Sequence, residues 1–194
     1  MDTAILCGGY GTRLAGLWDE PKCLVPLGDG HPILAHLLCR IYSLRPRCIH
    51  LLTGHKGLEV VTELRSRGFL SPKLLVSCET PRGTAVAMRS VLSQVIPPLM
   101  VLNGDTLPRY PLSDLMRIWN AESPDVLSAQ CGGVSAGATI LSAEALQKLR
   151  ESTATDFDVL VESECLGEIR RVLVAGFLDV GTPRGFELAS GWMI

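Results

Sequence analysis

Residues 3–14 read Thr-Ala-Ile-Leu-Cys-Gly-Gly-Tyr-Gly-Thr-Arg-Leu, and this stretch decides the fold. Its first five residues form a mostly apolar run that predicts a buried strand. Three glycines within the next four positions predict a loop whose backbone approaches a ligand closely and whose N–H groups form an anion site. Because Arg13 and Lys22 add two positive charges, we interpret the loop as a site for a polyphosphate, such as a nucleoside triphosphate.

The glycine loop matches neither of two common phosphate-binding fingerprints. The dinucleotide pattern G-x-G-x-x-G and the P-loop sequence ending in Gly-Lys-Ser/Thr are both absent here. A plain strand-to-loop turn with a surface arginine is therefore an alternative interpretation of the loop alone. Residues 21–26, Pro-Lys-Cys-Leu-Val-Pro, favour the ligand site because Pro21 stiffens the segment that carries Lys22.

Composition limits the classes of function. The 194 residues suffice for one domain with a full core, and a net charge of -2 gives no reason to expect nucleic acid or an anionic membrane as a partner. No apolar run reaches the length of a membrane span, and the first residues lack signal-peptide features. Seven scattered cysteines without a C-x-x-C pair favour buried thiols in a reducing compartment. We therefore expect a cytoplasmic protein, with a homodimer as an open alternative for its oligomeric state.

Apolar runs of strand length alternate with helical patterns along the chain. Strands are predicted at 48–53, 73–78, 99–103, 125–130, 136–141, 168–175 and 177–180, and helices at 32–44, 57–67, 84–95, 113–120, 143–150, 156–164 and 183–190. Ser113 is the predicted N-cap of its helix. This alternation predicts an α/β fold, a doubly wound, mostly parallel, Rossmann-like sheet with helices on both faces, in a single domain. Residues 99–103 are wholly apolar until Asn103 and should form a central strand.

Ligands of such sheets bind beyond the carboxyl ends of the strands. The glycine loop, residues 79–84 and residues 103–106 all follow predicted strand ends, so they should gather at one edge. Asp105 also follows a predicted strand and Asp179 lies at the end of another, and two carboxylates converging on a polyphosphate suit Mg²⁺. Each aspartate has a simpler alternative: residues 103–105 could form a hairpin-type turn, and Asp179 could cap a helix beginning at Thr182 or Pro183.

Taken together, these segments resemble the sugar-1-phosphate nucleotidyltransferases. The matching segments occur in the family's order, at residues 8–14, 21–22, 79–85, 103–105, 136–137 and 179–183, and Arg13 and Lys22 have the family's separation. The short chain and the Asn-Gly-Asp-Thr at residues 103–106 are most similar to the compact branch that includes manno-heptose-1-phosphate and mannose-1-phosphate guanylyltransferases.

The resemblance implies transfer of a nucleoside monophosphate from a nucleoside triphosphate to a sugar 1-phosphate, with Mg²⁺ as cofactor and pyrophosphate as second product. Residues 1–124 would be the nucleotide-binding half of the domain and residues 125–194 the sugar-phosphate-binding half. The implied catalytic residues are Arg13, Lys22, Asp105 and Asp179, of which the two aspartates hold the metal. The implied nucleotide-binding residues are Leu6, Gly8, Gly9, Gly11, Thr12, Arg13, Glu79, Gly83 and Thr84, and the implied sugar-phosphate contacts are Lys22, Gly137 and Asp156.

Three positions depart from the family's pattern. Cys78, followed by Glu79, stands where a base-reading Gln or Glu is usual, so the nucleobase stays open. Phe157 stands where a lysine commonly follows the sugar-contacting acid; we interpret it as a core residue. The sugar phosphate would then rely on a basic residue elsewhere, with Arg170, Arg171 and Arg184 as the alternatives. His31 replaces a Gly-Lys-Pro segment and is interpreted as a solvent-facing turn residue.

Three other functions remain as alternatives. A nucleotidyltransferase for another phosphorylated acceptor tends to show Arg-Met-Gly after the glycine loop and to lack Asp-Val-Gly-Thr-Pro, whereas this chain has Arg-Leu-Ala and keeps that segment. A non-catalytic sugar-nucleotide sensor would have no need for both metal-binding aspartates. A glycosyltransferase usually has two aspartates flanking one residue, and residues 103–105 supply only one.

Overall fold

The computed structural model describes residues 1–78 and 83–191. Within these ranges seven strands form one sheet in the order β3-β2-β1-β4-β7-β6-β8. Its strands are β1 (Asp2–Cys7), β2 (Ile49–Thr53), β3 (Leu74–Cys78), β4 (Leu99–Asn103), β6 (Val126–Cys131), β7 (Val134–Leu141) and β8 (Ile169–Leu173). Two short strands, β5 (Thr106–Pro108) and β9 (Phe177–Asp179), pair separately as an antiparallel ladder. The helices are α1 (Ile33–Ser43), α2 (Gly57–Ser66), α3 (Thr84–Val91), α4 (Leu112–Glu122), α5 (Ala143–Glu151), α6 (Phe157–Glu162) and α7 (Pro183–Ala189).

The mostly parallel sheet is confirmed, with β4 at its centre. Strands β1 to β4 run parallel, β6 and β8 run parallel to each other, and β7 pairs antiparallel with both β4 and β6. The reversal at β7 follows from Gly132 and Gly133, which form a two-residue connection with φ angles of 61° and 82°. Two consecutive positive φ angles are what a tight hairpin turn requires, and glycine adopts them at little cost.

Helices cover both faces of the large sheet, as the doubly wound prediction requires. Neighbouring residues Ala4 and Ile5 on β1 belong to different core clusters because successive side chains of a strand point to opposite faces. One cluster takes its helical residues from α1, α2 and α4, including Leu38, Leu64 and Leu115. The other takes them from α3, α5 and α6, including Met88, Leu149 and Phe157. Phe157 is only 2% exposed, which confirms its assignment to the core.

A third cluster packs beneath the β5–β9 ladder and joins it to α1 and α7 through Ile33, Leu107, Leu178 and Ala189, among others. The sequence pattern did not predict β5. Ser113 is not the N-cap of α4, since that helix begins at Leu112 after Pro111, whose fixed φ already suits a helix start. The helix predicted at 84–95 ends earlier, at Val91.

The cysteines divide between core and surface. Cys7, Cys23 and Cys48 are buried as predicted, whereas Cys39, Cys78 and Cys165 are exposed and Cys131 is intermediate. His31 is exposed beside a turn, as predicted. Within the described ranges, every helix is too short or too polar to span a lipid bilayer.

Candidate active site

A cavity of about 650 Å³ lies at the carboxyl ends of β1, β2 and β4. Its wall brings together residues from the glycine loop, the segment after Pro21, the turn after β2, the start of α3 and the turn after β4. These lining residues include Leu6, Gly8, Gly9, Tyr10, Arg13, Lys22, Thr53, Gly54, Gly83, Thr84, Asn103 and Asp105. Parallel strands place the loops that follow them at one edge, and the structure gathers these segments there. Glu79, one of the predicted nucleotide-binding residues, lies outside the described residues.

The glycine loop leaves β1 at Cys7 and runs directly over the turn after β2. A Cβ atom on Gly8 would lie 3.3 Å from the backbone nitrogen of Gly54, so the two backbones are in close contact. Gly11 adopts a left-handed φ of 71°, and its carbonyl accepts a hydrogen bond from the Leu14 N–H at 2.8 Å. The single 3₁₀ turn that follows, Thr12–Leu14, buries Leu14. This anchor leaves Arg13 on the wall of the cavity.

Lys22 reaches the foot of the glycine loop from a second 3₁₀ turn, Lys22–Leu24, which is anchored by the buried Cys23 and Leu24. Its ammonium group lies beside Gly9 and donates a hydrogen bond to Asp105 Oδ2 at 2.5 Å. Both side chains are largely buried, at 15% and 19% exposure. The ammonium charge is therefore held inside the cavity rather than in bulk water, where it would be screened.

Asp105 and Asp179 are brought together by the small ladder. The Gly104 N–H donates to the Leu6 carbonyl at 2.9 Å, which carries the β1–β4 pairing one step past Asn103 and sets Asp105 beside the glycine loop. In the β5–β9 ladder Thr106 pairs with Asp179, and the Val180 N–H donates to the Asp105 carbonyl at 2.9 Å. The backbones that carry the two carboxylates are thus hydrogen-bonded neighbours.

Gly181 marks the point where the charged groups meet. A Cβ atom there would lie 2.5 Å from Asp105 Oδ2, 2.9 Å from Asp179 Oδ1 and 3.0 Å from Lys22 Nζ. Burial raises the pKa of Asp179, and the Asp105 carboxylate raises it further. The Gly181 N–H, Arg13 and Lys22 act in the opposite direction. Two carboxylates and one ammonium group therefore share a confined volume.

Neither simpler interpretation of the aspartates holds. Residues 103–105 connect β4 to β5, which pair with different strands, so they are not a hairpin turn. The α7 helix is capped by Thr182, whose hydroxyl accepts the Gly185 N–H at 3.1 Å. Asp179 Oδ1 instead accepts the Gly181 N–H at 2.8 Å at the end of β9, beside Asp105 rather than on the wall of the cavity.

The carboxylate pair fits a divalent metal that shares its ligands with a substrate. Among the described residues no group of three or more His, Cys, Asp or Glu side chains could enclose a metal ion. Mg²⁺ keeps several waters and is usually held by one or two carboxylates together with substrate phosphates. Asp105 and Asp179 supply that number of carboxylates beside the glycine loop.

The start of α3 is tied to the start of α6 across the cavity. A Cβ atom on Gly83 would overlap the Thr155 carbonyl, and the Ala85 N–H donates to that same carbonyl at 3.0 Å. The Thr84 hydroxyl accepts the Phe157 N–H at 2.8 Å. Gly83 and Thr84, two of the predicted nucleotide-binding residues, are therefore fixed against the second half of the chain.

Gly137 and Asp156, the two predicted sugar contacts of the second half of the chain, each make a local structural contact. A Cβ atom on Gly137 would lie 2.6 Å from Thr106 Cγ2, so this glycine lets β7 approach β5. Asp156 is exposed and caps α6, since its Oδ1 accepts the N–H groups of Asp158 and Val159 at 2.9 and 3.2 Å. Its carboxylate is thereby engaged with its own helix.

Asp158 is an acidic residue on a cavity wall that the sequence pattern did not single out. It lines the main cavity and also a second cavity of about 380 Å³, whose wall includes Ser128, Gln130, Ser135, Glu162 and Arg171. Asp158 is exposed at the surface, but the partial enclosure of its carboxyl group raises its pKa, and the carboxylates of Asp156, Glu162 and Asp105 raise it further. The preference of aspartate for N-cap positions could have indicated this residue. An N-cap aspartate such as Asp156 accepts backbone N–H groups, which leaves the next acid, Asp158, free in the first turn of the helix.

The three arginines that were alternatives for binding the sugar phosphate occupy different positions. Arg170 pairs with Glu122 at 2.7 Å, and Arg184 is exposed on α7. Arg171 donates to Glu164 at 2.9 Å and lines the second cavity. Arg171 is therefore the one of the three that the structure places on a described cavity wall.

The chain belongs to the MobA-like NTP transferase domain family, whose pattern matches residues 3–164. This match confirms the predicted nucleotidyltransferase family. The fold agrees as well: the structure of HddC from Yersinia pseudotuberculosis complexed with GMP-PN superposes with a TM-score of 0.81, covering 98% of each chain at 19% identity.

Two relatives carry names that match the compact branch. D-glycero-alpha-D-manno-heptose 1-phosphate guanylyltransferase from Campylobacter jejuni is 36% identical over 117 residues, which cover 59% of this chain and 52% of the relative. Mannose-1-phosphate guanylyltransferase from Mycobacterium tuberculosis is 32% identical over 129 residues, which cover 65% of this chain and 36% of the relative. The chain therefore spans about half or less of the length of these relatives.

Proposed function

We propose that the protein transfers a nucleoside monophosphate from a nucleoside triphosphate to a sugar 1-phosphate and releases pyrophosphate. The observation that carries this proposal is the convergence of Lys22, Asp105 and Asp179 at the foot of the glycine loop. A cavity of about 650 Å³ lies beside that point, with Lys22 and Asp105 on its wall, and its volume is within the usual size range of small-molecule sites.

The triphosphate would lie along the glycine loop. Gly8 and Gly9 line the cavity there, and Gly11 and Thr12 shape the turn that presents Arg13. Leu6 lies beneath the loop, and Gly83 and Thr84 close the side on which we place the nucleoside. Arg13 and Lys22 would then offset the negative charge of the phosphates.

The acceptor would lie on the Asp158 side of the cavity. Hydroxyl, amide, carboxylate and guanidinium groups line the second cavity, and such groups hydrogen-bond sugar hydroxyls. Asp158 lies between the two cavities and would contact the sugar, with Lys22 at its phosphate. Gly137 would support this side by its contact with Thr106, and Asp156 by holding the turn that presents Asp158.

The chemistry requires alignment more than proton transfer. An oxygen of the sugar phosphate attacks the α-phosphorus, and pyrophosphate leaves from the opposite side. Since the attacking oxygen is already an anion, no general base is needed. Mg²⁺, held by Asp105 and Asp179, would supply charge neutralisation across the phosphates when bound. Lys22 and Arg13 would oppose the repulsion between the two anionic substrates and stabilise the charge on the departing pyrophosphate.

The relatives suggest which substrates to try first. The two named above are guanylyltransferases for a heptose 1-phosphate and for mannose 1-phosphate, which supports GTP with these sugars. Cys78 is exposed at the end of β3, and residues 79–82, which follow it, lie outside the described ranges. The base preference is therefore proposed from the relatives alone.

A substrate panel tests the proposal. The protein would be incubated with Mg²⁺, each of five common nucleoside triphosphates and a series of sugar 1-phosphates, and pyrophosphate would be measured. We expect one pair to release pyrophosphate only when both substrates are present. Asp105→Asn should lower the rate of this release by on the order of 10²-fold, whereas Asp114→Asn, on the exposed side of α4, should retain it. Binding of a sugar nucleotide without release from any pair would favour the sensor, and release with another phosphorylated acceptor would favour the same-fold alternative.

A further inference from the structure

Residues 54–56 form the loop between β2 and α2 and contact residues 8–19, which include the glycine loop, at three points. The backbones of Gly8 and Gly54 are in close contact, as described above. The rings of Tyr10 and His55 lie with centroids 5.3 Å apart and planes tilted by 38°. Lys56 Nζ donates a hydrogen bond to the carbonyl of Asp19, beyond the end of the glycine loop. These contacts link residues 54–56 to the start of the glycine loop and to Asp19, beyond its end.

Tyr10 is an unexpected side chain for a phosphate-binding loop. It stands among three glycines, and 59% of its surface is exposed. Binding phosphate through backbone N–H groups requires no ring at this position. The ring nevertheless packs on His55 and lines the cavity, so it joins the loop to the neighbouring turn.

The β2–α2 loop has a defined shape of its own. Lys56 adopts a left-handed φ of 57°, which is uncommon for a residue with a side chain. Such conformations persist where the surrounding contacts determine them. The Gly57 N–H donates to the Gly54 carbonyl at 3.0 Å, and Gly57 is buried at the start of α2. His55 is thereby presented from a short turn that is anchored to a helix.

We propose that Tyr10 and His55 are positioning residues for the triphosphate. Their ring contact holds the glycine loop in the conformation that aims its N–H groups and Arg13 into the cavity. Ordering the loop before the nucleotide arrives lowers the conformational cost of binding. The inference rests on the proposed function, because it assumes that a nucleoside triphosphate occupies this loop.

A double-mutant cycle on nucleotide affinity tests the inference. Binding of GTP with Mg²⁺ would be measured by calorimetry for wild type, Tyr10→Ala, His55→Ala and the double variant, with the other four triphosphates used in turn if GTP does not bind. We expect each single substitution to weaken affinity about fivefold, in keeping with aromatic pairs in proteins. The double variant should be no weaker than either single one, because both remove the same contact.

Two controls separate positioning from general stability. Tyr10→Phe keeps the ring and should bind as wild type does. His36→Ala breaks a comparable ring pair with His31, whose centroids are 6.2 Å apart and which lies outside the cavity wall, so it should leave affinity unchanged. In turnover assays Tyr10→Ala and His55→Ala should raise KM for the triphosphate and leave KM for the acceptor unaltered.

Three results would overturn the inference. Additive losses would mean that Tyr10 contacts the nucleotide directly and not through His55. A lower unfolding temperature without a change in affinity would mean that the ring pair only stabilises the fold. Absence of triphosphate binding by wild type would remove this inference and the proposed function together. Normal triphosphate binding without pyrophosphate release would reject the proposed function alone, and the affinities would still decide the role of the ring pair.

Discussion

A single methyl group at Gly181 should disable the site without unfolding the chain. Gly181 is buried and its φ lies outside the left-handed region, so alanine is compatible with the backbone there. The added carbon would lie 2.5 Å from Asp105 Oδ2 and 3.0 Å from Lys22 Nζ. Restoring an ordinary contact of 3.4 Å requires Asp105 Oδ2 to withdraw by about 0.9 Å, and the Asp179 oxygen, at 2.9 Å, by about 0.5 Å.

The displacement sets the size of the expected effect. Misplacing reacting groups by about 1 Å costs on the order of 10²-fold in rate, or about 2.7 kcal/mol in the activation barrier. We therefore expect Gly181→Ala to lower kcat about a hundredfold. Adding one carbon to a packed site typically costs about 1–3 kcal/mol of stability, so the variant should remain folded. Rates of pyrophosphate release and urea unfolding curves measure the two quantities separately.

Gly176→Ala provides the matched control. It precedes the same strand, β9, and its Cβ atom would meet Arg109 Cδ at an ordinary 3.7 Å. This variant should turn over within about twofold of wild type. Wild-type turnover by Gly181→Ala would refute the convergence of the three charged groups. An equal loss in both variants would show that the effect comes from the small ladder in general.

Three further outcomes are expected. Asp105→Asn and Lys22→Ala should each lower the rate of pyrophosphate release by on the order of 10²-fold, as loss of a charge-stabilising group does, and near wild-type release would remove the assignment. Asp158→Asn should raise KM for the acceptor about tenfold and leave KM for the nucleotide unchanged, because a hydrogen bond to a charged group contributes about 1.5–3 kcal/mol. Equal changes in both KM values would contradict the placement of the acceptor beside Asp158. Burial lowers the pKa of His50, which lies near Asp2 and Arg47, so the unfolded chain binds more protons and the free energy of unfolding should fall as pH drops below about 6.5. Between pH 7 and pH 5, urea unfolding should show a smaller loss of this free energy for His50→Leu than for wild type. Identical losses would be inconsistent with a buried neutral His50.

The parallel half of the large sheet was predictable because β1 to β4 are largely apolar runs, each followed further along the chain by a helical pattern. The small ladder was not. Strand β5 has three residues, one of them proline, and its partner β9 lies some seventy positions later in the chain. Such pairing depends on tertiary contacts, here the cluster that includes Leu107 and Leu178, and leaves no local period.

The candidate site likewise contains residues whose positions were predictable from the sequence and residues whose positions depend on tertiary contacts. The glycine loop and Asp105 could be placed at one edge of the sheet because each follows the carboxyl end of a parallel strand. The approach of Asp179 to Asp105 required the ladder, so its sequence position alone could not show it. The sequence pattern also did not show that Asp156 caps α6, where its Oδ1 accepts two backbone N–H groups. Asp158, two residues on, is the acid that reaches the cavity.

The position of the transferred phosphorus tests the central claim most directly. The protein would be incubated with Mg²⁺, an acceptor sugar 1-phosphate and a nucleoside triphosphate labelled at the α-phosphorus, and the products would be separated. We predict that the label appears in a nucleoside diphosphate sugar, with one unlabelled pyrophosphate released for each molecule formed. Label recovered only as unreacted triphosphate, nucleoside diphosphate or free nucleoside monophosphate, with every acceptor tried, would contradict nucleotidyl transfer.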